Sequence, residues 1–350
     1  MKGKRKMNRA VWAGIAAAVL VAQAVAYAGD KAEQPAPIEE QKKLREELKA
    51  AGGQVYFNAG GQILVVGFDG APPKQVTDIE GGASYPHVSP DGKKLIVQQW
   101  GSKIPPDKFL VKKLDERYPV KERNMGNRVT ILMNIDGSDP KPLCYQWDAH
   151  WSPCGKFIAG NINMKDRRKG RPLSVIDLDK LEERVVSPDN WSKYKSRGFS
   201  TYTPDGKWIC SGNPRFIAVP VDGSDAKPVT IVQSSGCNQE VSPDGKWFTW
   251  TVDTYGEAGG WIMYAPMDLA KSAPKAVKAK LGWPDRSVNY DSCFSPCSKF
   301  MVYMHGDCVK GKKSYQGVPS EIYACRFPPD GVNVKLTSLG KNARHPHWVK

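Results

Sequence analysis

The chain has 350 residues, 51 Lys and Arg against 36 Asp and Glu, and a formal charge of +15. That excess favours anionic partners such as polyuronates, sulfated glycans, lipopolysaccharide or cell-wall polymers. Its eight cysteines include no Cys-x-x-Cys-His, which excludes covalent haem, and it has neither a Gly-x-Ser-x-Gly nucleophile elbow nor a phosphate-cradling glycine loop.

In chain order, Lys2, Lys4, Arg5, Lys6 and Arg9 precede an Ala-rich apolar run over 10–28 that ends in Ala26-Tyr27-Ala28. This is the pattern of a cleaved secretory signal over 1–28. Export implies a periplasmic or secreted protein, with no nucleic-acid partner and a membrane contact only through the signal. Loss of those five positive charges leaves a mature chain of about +10 (15 − 5). Eight cysteines suit an oxidising compartment, and Cys308 and Cys325, flanking one hairpin loop, are the expected bridge. Residues 29–52 read as a polar linker and a short helix over 38–51, with an apolar stripe of Ile38, Leu44 and Leu48 and a stop at Gly52-Gly53.

From residue 53 to 350 one phrase recurs: Val88-Ser-Pro-Asp-Gly-Lys93, Trp151-Ser-Pro-Cys-Gly-Lys156, Tyr202-Thr-Pro-Asp-Gly-Lys207, Val241-Ser-Pro-Asp-Gly-Lys246 and Phe294-Ser-Pro-Cys-Ser-Lys299. Proline presets φ, Asp or Ser bonds nearby backbone, and Gly accepts positive φ, so each phrase is a turn between two strands. The proline-to-proline intervals are 63, 51, 39 and 53 residues. They suit a propeller blade of about 40–50 residues with loop insertions. Asp-Gly at 69–70, 136–137, 222–223 and 330–331 supplies a second hairpin turn in most repeats. The segment from Gln54 has no first strand, and Arg344-His-Pro-His-Trp348 is a first strand with nothing after it. Joining the two predicts an all-β, six-bladed propeller with one blade shared by the chain ends.

First strands line a propeller's channel, so equivalent positions form rings. Three before the Ser-Pro proline stand His87, His150, Thr201, Glu240 and Cys293, with His347 in the closing strand. Five before stand Tyr85, Asp148, Phe199, Asn238, Asp291 and His345. Residues two apart on a strand share a face, so both rings are expected on one surface. Four of the five histidines fall here, and His305 ends a strand nearby. His87, His150 and His347 are candidate ligands for a divalent metal, manganese or calcium, and the same groups can supply a general base. The alternative is that they are packing residues around a water-filled channel.

Basic insertions occur at 102–128, at Lys165–Arg171 (with Arg167, Arg168, Lys169 and Arg171) and at 310–313. Each falls between the second and third strands of its repeat, which predicts one strongly basic face opposite the Ser-Pro turns.

The repeated phrase and the shared closing blade resemble the TolB-type propellers over residues 53–350. The resemblance implies the fold; TolB's additional α/β domain has no counterpart in residues 29–52. A shorter segment, Asn342-Ala-Arg-His345-Pro-His347, is similar to the Gln-x-x-His-x-His segment of oligogalacturonate lyases, also propellers, where it helps hold manganese. Asn342 stands at the Gln, His305 is the candidate for the upstream metal histidine, and no histidine stands where that family's catalytic base is expected. The leading expectation is a non-catalytic exported propeller binding an anionic polysaccharide or an envelope protein. The alternative is a metal-dependent polysaccharide lyase.

Overall fold

The computed structural model describes residues 36–350 apart from 101–103, 125–127, 167, 169, 189–190, 192–197, 213–214, 225–226, 254–259, 272–274, 285–286 and 308–317. The signal segment, Arg167, Lys169, Cys308 and the 310–313 run therefore lie outside the described residues.

Apart from one helix and two short 3₁₀ turns the described chain is β-structure. The first sheet has the order β24-β1-β2-β3, built from Gln54–Ala59 (β1), Gln62–Val66 (β2), Lys74–Gln75 (β3) and the C-terminal Arg344–Val349 (β24). The next three are β4–β7 (Ser84–Val88, Lys94–Trp100, Arg128–Asn134, Lys141–Cys144), β8–β11 (Trp147–Trp151, Phe157–Asn161, Leu173–Asp177, Glu182–Val185) and β12–β15 (Gly198–Tyr202, Trp208–Gly212, Phe216–Pro220, Val229–Val232). An eight-stranded sheet completes the molecule. Its halves are β16–β19 (Cys237–Val241, Trp247–Asp253, Gly260–Pro266, Val277–Lys278) and β20–β23 (Ser287–Phe294, Phe300–Asp307, Glu321–Arg326, Asn333–Lys335). Each half is antiparallel, and they meet at one parallel bridge, Gly260 to Val288. Four blades thus stand as separate sheets, against the six expected, because this bridge joins the remaining strands into one.

The first strands touch in a closed cycle: β4 with β8, β8 with β12, β12 with β16, β16 with β20, β20 with β24 and β24 with β4. Apolar side chains fill the space between neighbouring sheets, as where Tyr56 and Ile63 meet Val88, Leu95, Val97 and Ile131. The expected closure is present, with β24 antiparallel to β1 and Val55 opposite Trp348, Tyr56 opposite His347.

The repeated phrase folds as its residue types require. Ser89 Oγ donates to Asp91 Oδ1 (2.6 Å) and accepts from Lys94 N–H (2.9 Å), while Asp91 accepts from Lys93 N–H (3.1 Å). The Thr203 and Ser242 turns repeat the pattern. Gly92 takes φ 71°, open to glycine at no steric cost.

The helix α1 (Ile38–Ala51) buries Leu44 and Leu48 against Val334 and Trp348, and Arg326 clamps it through Glu47 at 2.7 and 3.0 Å. Ile38, expected on the same stripe, is exposed at 72%; at 3.6 residues per turn it lies about 80–120° around the helix from Leu44 and Leu48, off their face. No two of the seven described cysteines are bridged to each other, and the expected Cys308–Cys325 bridge falls on Cys308, outside the described residues. No helix among the described residues is long and apolar enough to cross a membrane.

Candidate binding site in the central channel

Six residues of the inner strands adopt the left-handed region without being glycine: Tyr85 (φ 53°), Asp148 (49°), Phe199 (60°), Asn238 (51°), Asp291 (55°) and His345 (50°). They are the outer of the two rings expected from the sequence. A register shift follows in each of β4, β8, β16 and β20 and accompanies it in β12 and β24. Such a residue costs on the order of 1–3 kcal/mol unless its surroundings hold it. Its effect is to break the strict alternation of the strand. Tyr85, Pro86 and His87 line one narrow cavity of about 40 Å³, together with Asn238, Gln239 and Glu240 and with Asp148, Asp291 and His345. Period-two reasoning put the two rings on one surface, and the bulge adds the residue between them.

The inner ring forms the floor of a bowl. His87, His150, Thr201, Glu240, Cys293 and His347 line a cavity of about 560 Å³ walled by Pro90, Pro153, Pro204, Pro243 and Pro296 of the repeated turns. His87 and His150 lie ring against ring, 3.8 Å between centroids, and His347 meets His87 edge-on at 5.0 Å. His347 Nδ1 is 3.9 Å from Cys293 Sγ. The histidines converge, with His150 tilted at 45° to His87 and His347 edge-on to it at 69°. Among the described residues no group of three His, Cys, Asp or Glu side chains is arranged to hold a metal ion. The donor set does not fit the manganese or calcium expected for His87, His150 and His347.

Burial also keeps this floor uncharged near neutral pH. It lowers His150 to about 3 and His347 to about 4, and holds His87 well below its ordinary value. It pushes Glu240 up to about 8, against the Thr201 hydroxyl, which pulls it down. His305 is elsewhere: it stacks on Trp283 at 3.6 Å and its Nδ1 meets Asn289 Oδ1 at 2.9 Å.

The outer ring carries the charge. Asp148 accepts from Arg128 Nη1 at 3.1 Å and from Phe199 N–H at 3.3 Å. Burial pushes its carboxyl up to about 6, while Arg128 and Arg171 hold it down. Asp291 accepts from Arg344 Nη2 (3.0 Å), from His345 N–H (3.3 Å) and from the Asn238 amide. His345 stacks on Tyr85 at 3.6 Å and contacts Asn58 Oδ1 through Nδ1 at 2.6 Å. Sequence reasoning missed Arg128 and Arg344. The signal available was that a channel carboxylate needs a buried cation partner, with nothing local to say which.

The basic insertions differ from expectation. The described part of 102–128 is a strap along the outer strands. Leu110 and Val111 N–H groups bond the Pro142 and Leu143 carbonyls, and Lys113 pairs with Glu182. Arg123 is buried, paired with Glu183 at 2.5 and 3.1 Å. Arg123 thus ties the strap to β11, whereas Lys113 stays largely exposed. Arg168 is exposed and paired with Asp166 at 2.9 Å. Arg171 lies over the Trp147 ring at 3.2 Å.

No protein-family model and no curated protein sequence matches the chain. Solved structures do. TolB from Acinetobacter baumannii superposes with a TM-score of 0.59 at 16% identity, over 85% of this chain and 66% of that one. The fold is a TolB-type β-propeller. A protein assigned as TolB from Agrobacterium tumefaciens gives 0.55 at 13% identity, over 85% of this chain and 99% of that one. The chain thus spans just under two thirds of the Acinetobacter TolB, and at these identities the likeness concerns the fold alone.

Proposed function

We propose that this is an exported, non-catalytic TolB-type propeller that binds an anionic partner, an acidic glycan or an acidic segment of an envelope protein, on the face where the inner strands begin. In this reading residues 1–28 are cleaved, the protein works in the periplasm or outside the cell, and the eight-stranded sheet counts as two blades, making six. The observation that carries it is the charge distribution along the channel. The floor on the Ser-Pro side holds no ionised group at neutral pH, whereas the charge is confined to the outer ring, where three guanidiniums, Arg128, Arg171 and Arg344, stand about the carboxylates Asp148 and Asp291 that pair with Arg128 and Arg344. The donor set implied by the lyase resemblance is not assembled: His305 lies against Trp283 and Asn289, His345 against Tyr85 and Asn58, and among the described residues no three such side chains are arranged to hold a metal ion. The test is binding of the mature protein to polygalacturonate, heparin and lipopolysaccharide at rising salt. Affinity should fall steeply over the range where screening sets in. Incubation with polygalacturonate and manganese should yield no unsaturated, ultraviolet-absorbing ends; their appearance would restore the lyase reading.

A further inference from the structure

The bowl on the Ser-Pro side lies apart from the charged outer ring, and the protein leaves polar groups on its floor unused. Among the described residues, His87 and His150 have no hydrogen-bond partner for their ring nitrogens, and neither ring is sealed: both border the cavity of about 560 Å³. His347, by contrast, is engaged by the Val88 carbonyl, and its Nδ1 faces Cys293 Sγ. Next around the ring stand the Thr201 hydroxyl and the Glu240 carboxyl, bonded to each other. The walls are of another kind: the pyrrolidine rings of the five turns, with Trp151, Phe294 and Trp348. Trp151 is pinned through Nε1, which donates to the His87 carbonyl at 2.9 Å, so a half-buried indole stands fixed beside the floor. Behind the floor the channel closes. His87, His150 and Glu240 also line the narrow cavity of about 40 Å³, which admits a few waters and nothing larger.

We propose that the bowl binds a short, uncharged saccharide, one ring of which sits on the floor. This is a second site, on the face opposite the anionic one, and it does not depend on that reading. Complementarity selects the ligand. A neutral imidazole, a hydroxyl and a protonated carboxyl can each give and accept a hydrogen bond, and sugar hydroxyls have the same double character. Burial keeps the histidines and Glu240 in those uncharged forms near neutral pH. A charged ligand would lose its hydration with no opposite charge on the floor to meet. An apolar one would leave the imidazoles and Thr201 unpaired. The C–H faces of the sugar then meet the turn prolines and the Trp151 indole. The volume falls within the range of small-molecule sites, about 300–1,000 Å³, and the closed floor favours a short free ligand over a chain that must pass through.

The test is titration calorimetry of the mature protein near neutral pH with maltose, cellobiose, lactose and diacetylchitobiose, and with the uronic-acid form of each sugar that binds. At least one of the four should bind, and its uronic acid about tenfold more weakly, the scale of one unpaired buried group. His150→Phe keeps a ring against His87 and removes both nitrogens. It and Thr201→Val should each weaken binding about tenfold, the scale of one lost hydrogen bond, and Arg168→Gln should leave it unchanged. Near-ultraviolet circular dichroism identifies a variant that has lost its fold; the other variant then decides, and the comparison of sugar with uronic acid needs neither. No binding of any of the four, equal affinity for the uronic acid, or wild-type affinity in both His150→Phe and Thr201→Val overturns the site. The same two variants should bind polygalacturonate, heparin and lipopolysaccharide as wild type does, so each reading can fail alone.

Discussion

Glu240 gives the channel floor a pH signature. Its carboxyl is raised from 4.5 to about 8 by burial, so the folded state holds the proton more tightly than the unfolded chain. Its stabilising contribution is complete below about 4.5 and is lost as pH rises through 8. The histidines act in the opposite sense. His150 and His347 are lowered to about 3 and 4, so stability falls as pH drops below 6.5, where the unfolded chain takes up protons first. Glu240→Gln should remove the alkaline loss while keeping a partner for Thr201. We expect its Tm to exceed wild type by several degrees at pH 8.5 and to match it near pH 5, on the scale of 1.4 kcal/mol per unit of pKa shift. A Tm difference that does not change with pH would show that Glu240 is not the group titrating.

Cys154 offers a second residue-scale prediction. It stands where other repeats place Asp91, Asp205 and Asp244, in a turn built to hold an anion. Burial raises its pKa, but the Ser152 hydroxyl, the Lys156 N–H and the Lys156 charge outweigh it and leave the thiol below its ordinary value. Cys154 is exposed, whereas Cys144, Cys210 and Cys325 are buried. Iodoacetamide at pH 7, followed by peptide mass spectrometry, should label Cys154 early and those three only after unfolding.

Among the elements, β24 and the glycines beside it carry the closure. Gly53 takes φ 88°, and a Cβ there would collide with the Val349 carbonyl. Gly53→Ala should therefore destabilise by about 2 kcal/mol or more, read as a drop in denaturation midpoint. Removing residues 344–350 should cost far more, because it strips β1 of its partner and exposes an open edge; a truncated chain that melts like wild type would refute that. The repeated turns and the closing strand were legible in the sequence because their instructions are local: a hydroxyl, an acid, a glycine and a proline in fixed order. The bulges were not. Tyr85, Phe199 and His345 occupy positive φ with no glycine to mark it, held by packing around the ring rather than by propensity. The ring residues were legible, their neutrality was not, since it depends on burial that only the assembled channel supplies. The strap over 104–124 reads as a basic loop because Arg123 and its partner Glu183 are sixty residues apart. The bridge joining β18 to β20 is likewise a contact between repeats, invisible to any count of repeats.

For the whole molecule, the charge of +15 is not a uniform coat. Part of it is spent internally on Arg123, Arg128, Arg326 and Arg344, each paired with a carboxylate. Neutralising exposed lysines should accordingly alter association rates with polyanions, measured by stopped flow, while leaving the melting temperature almost unchanged.

The antiparallel pairing of β1 and β24 sets how the ring would respond to tension. Gln54 stands opposite Val349, so the start of one strand and the end of the other lie side by side. A pull between an attachment ahead of residue 54 and one beyond residue 350 would load the hydrogen bonds of this pair one after another, like a zip, instead of all together in shear. The ring should yield first at that seam, at low force in a single-molecule extension experiment, as a short step that precedes the loss of the sheets.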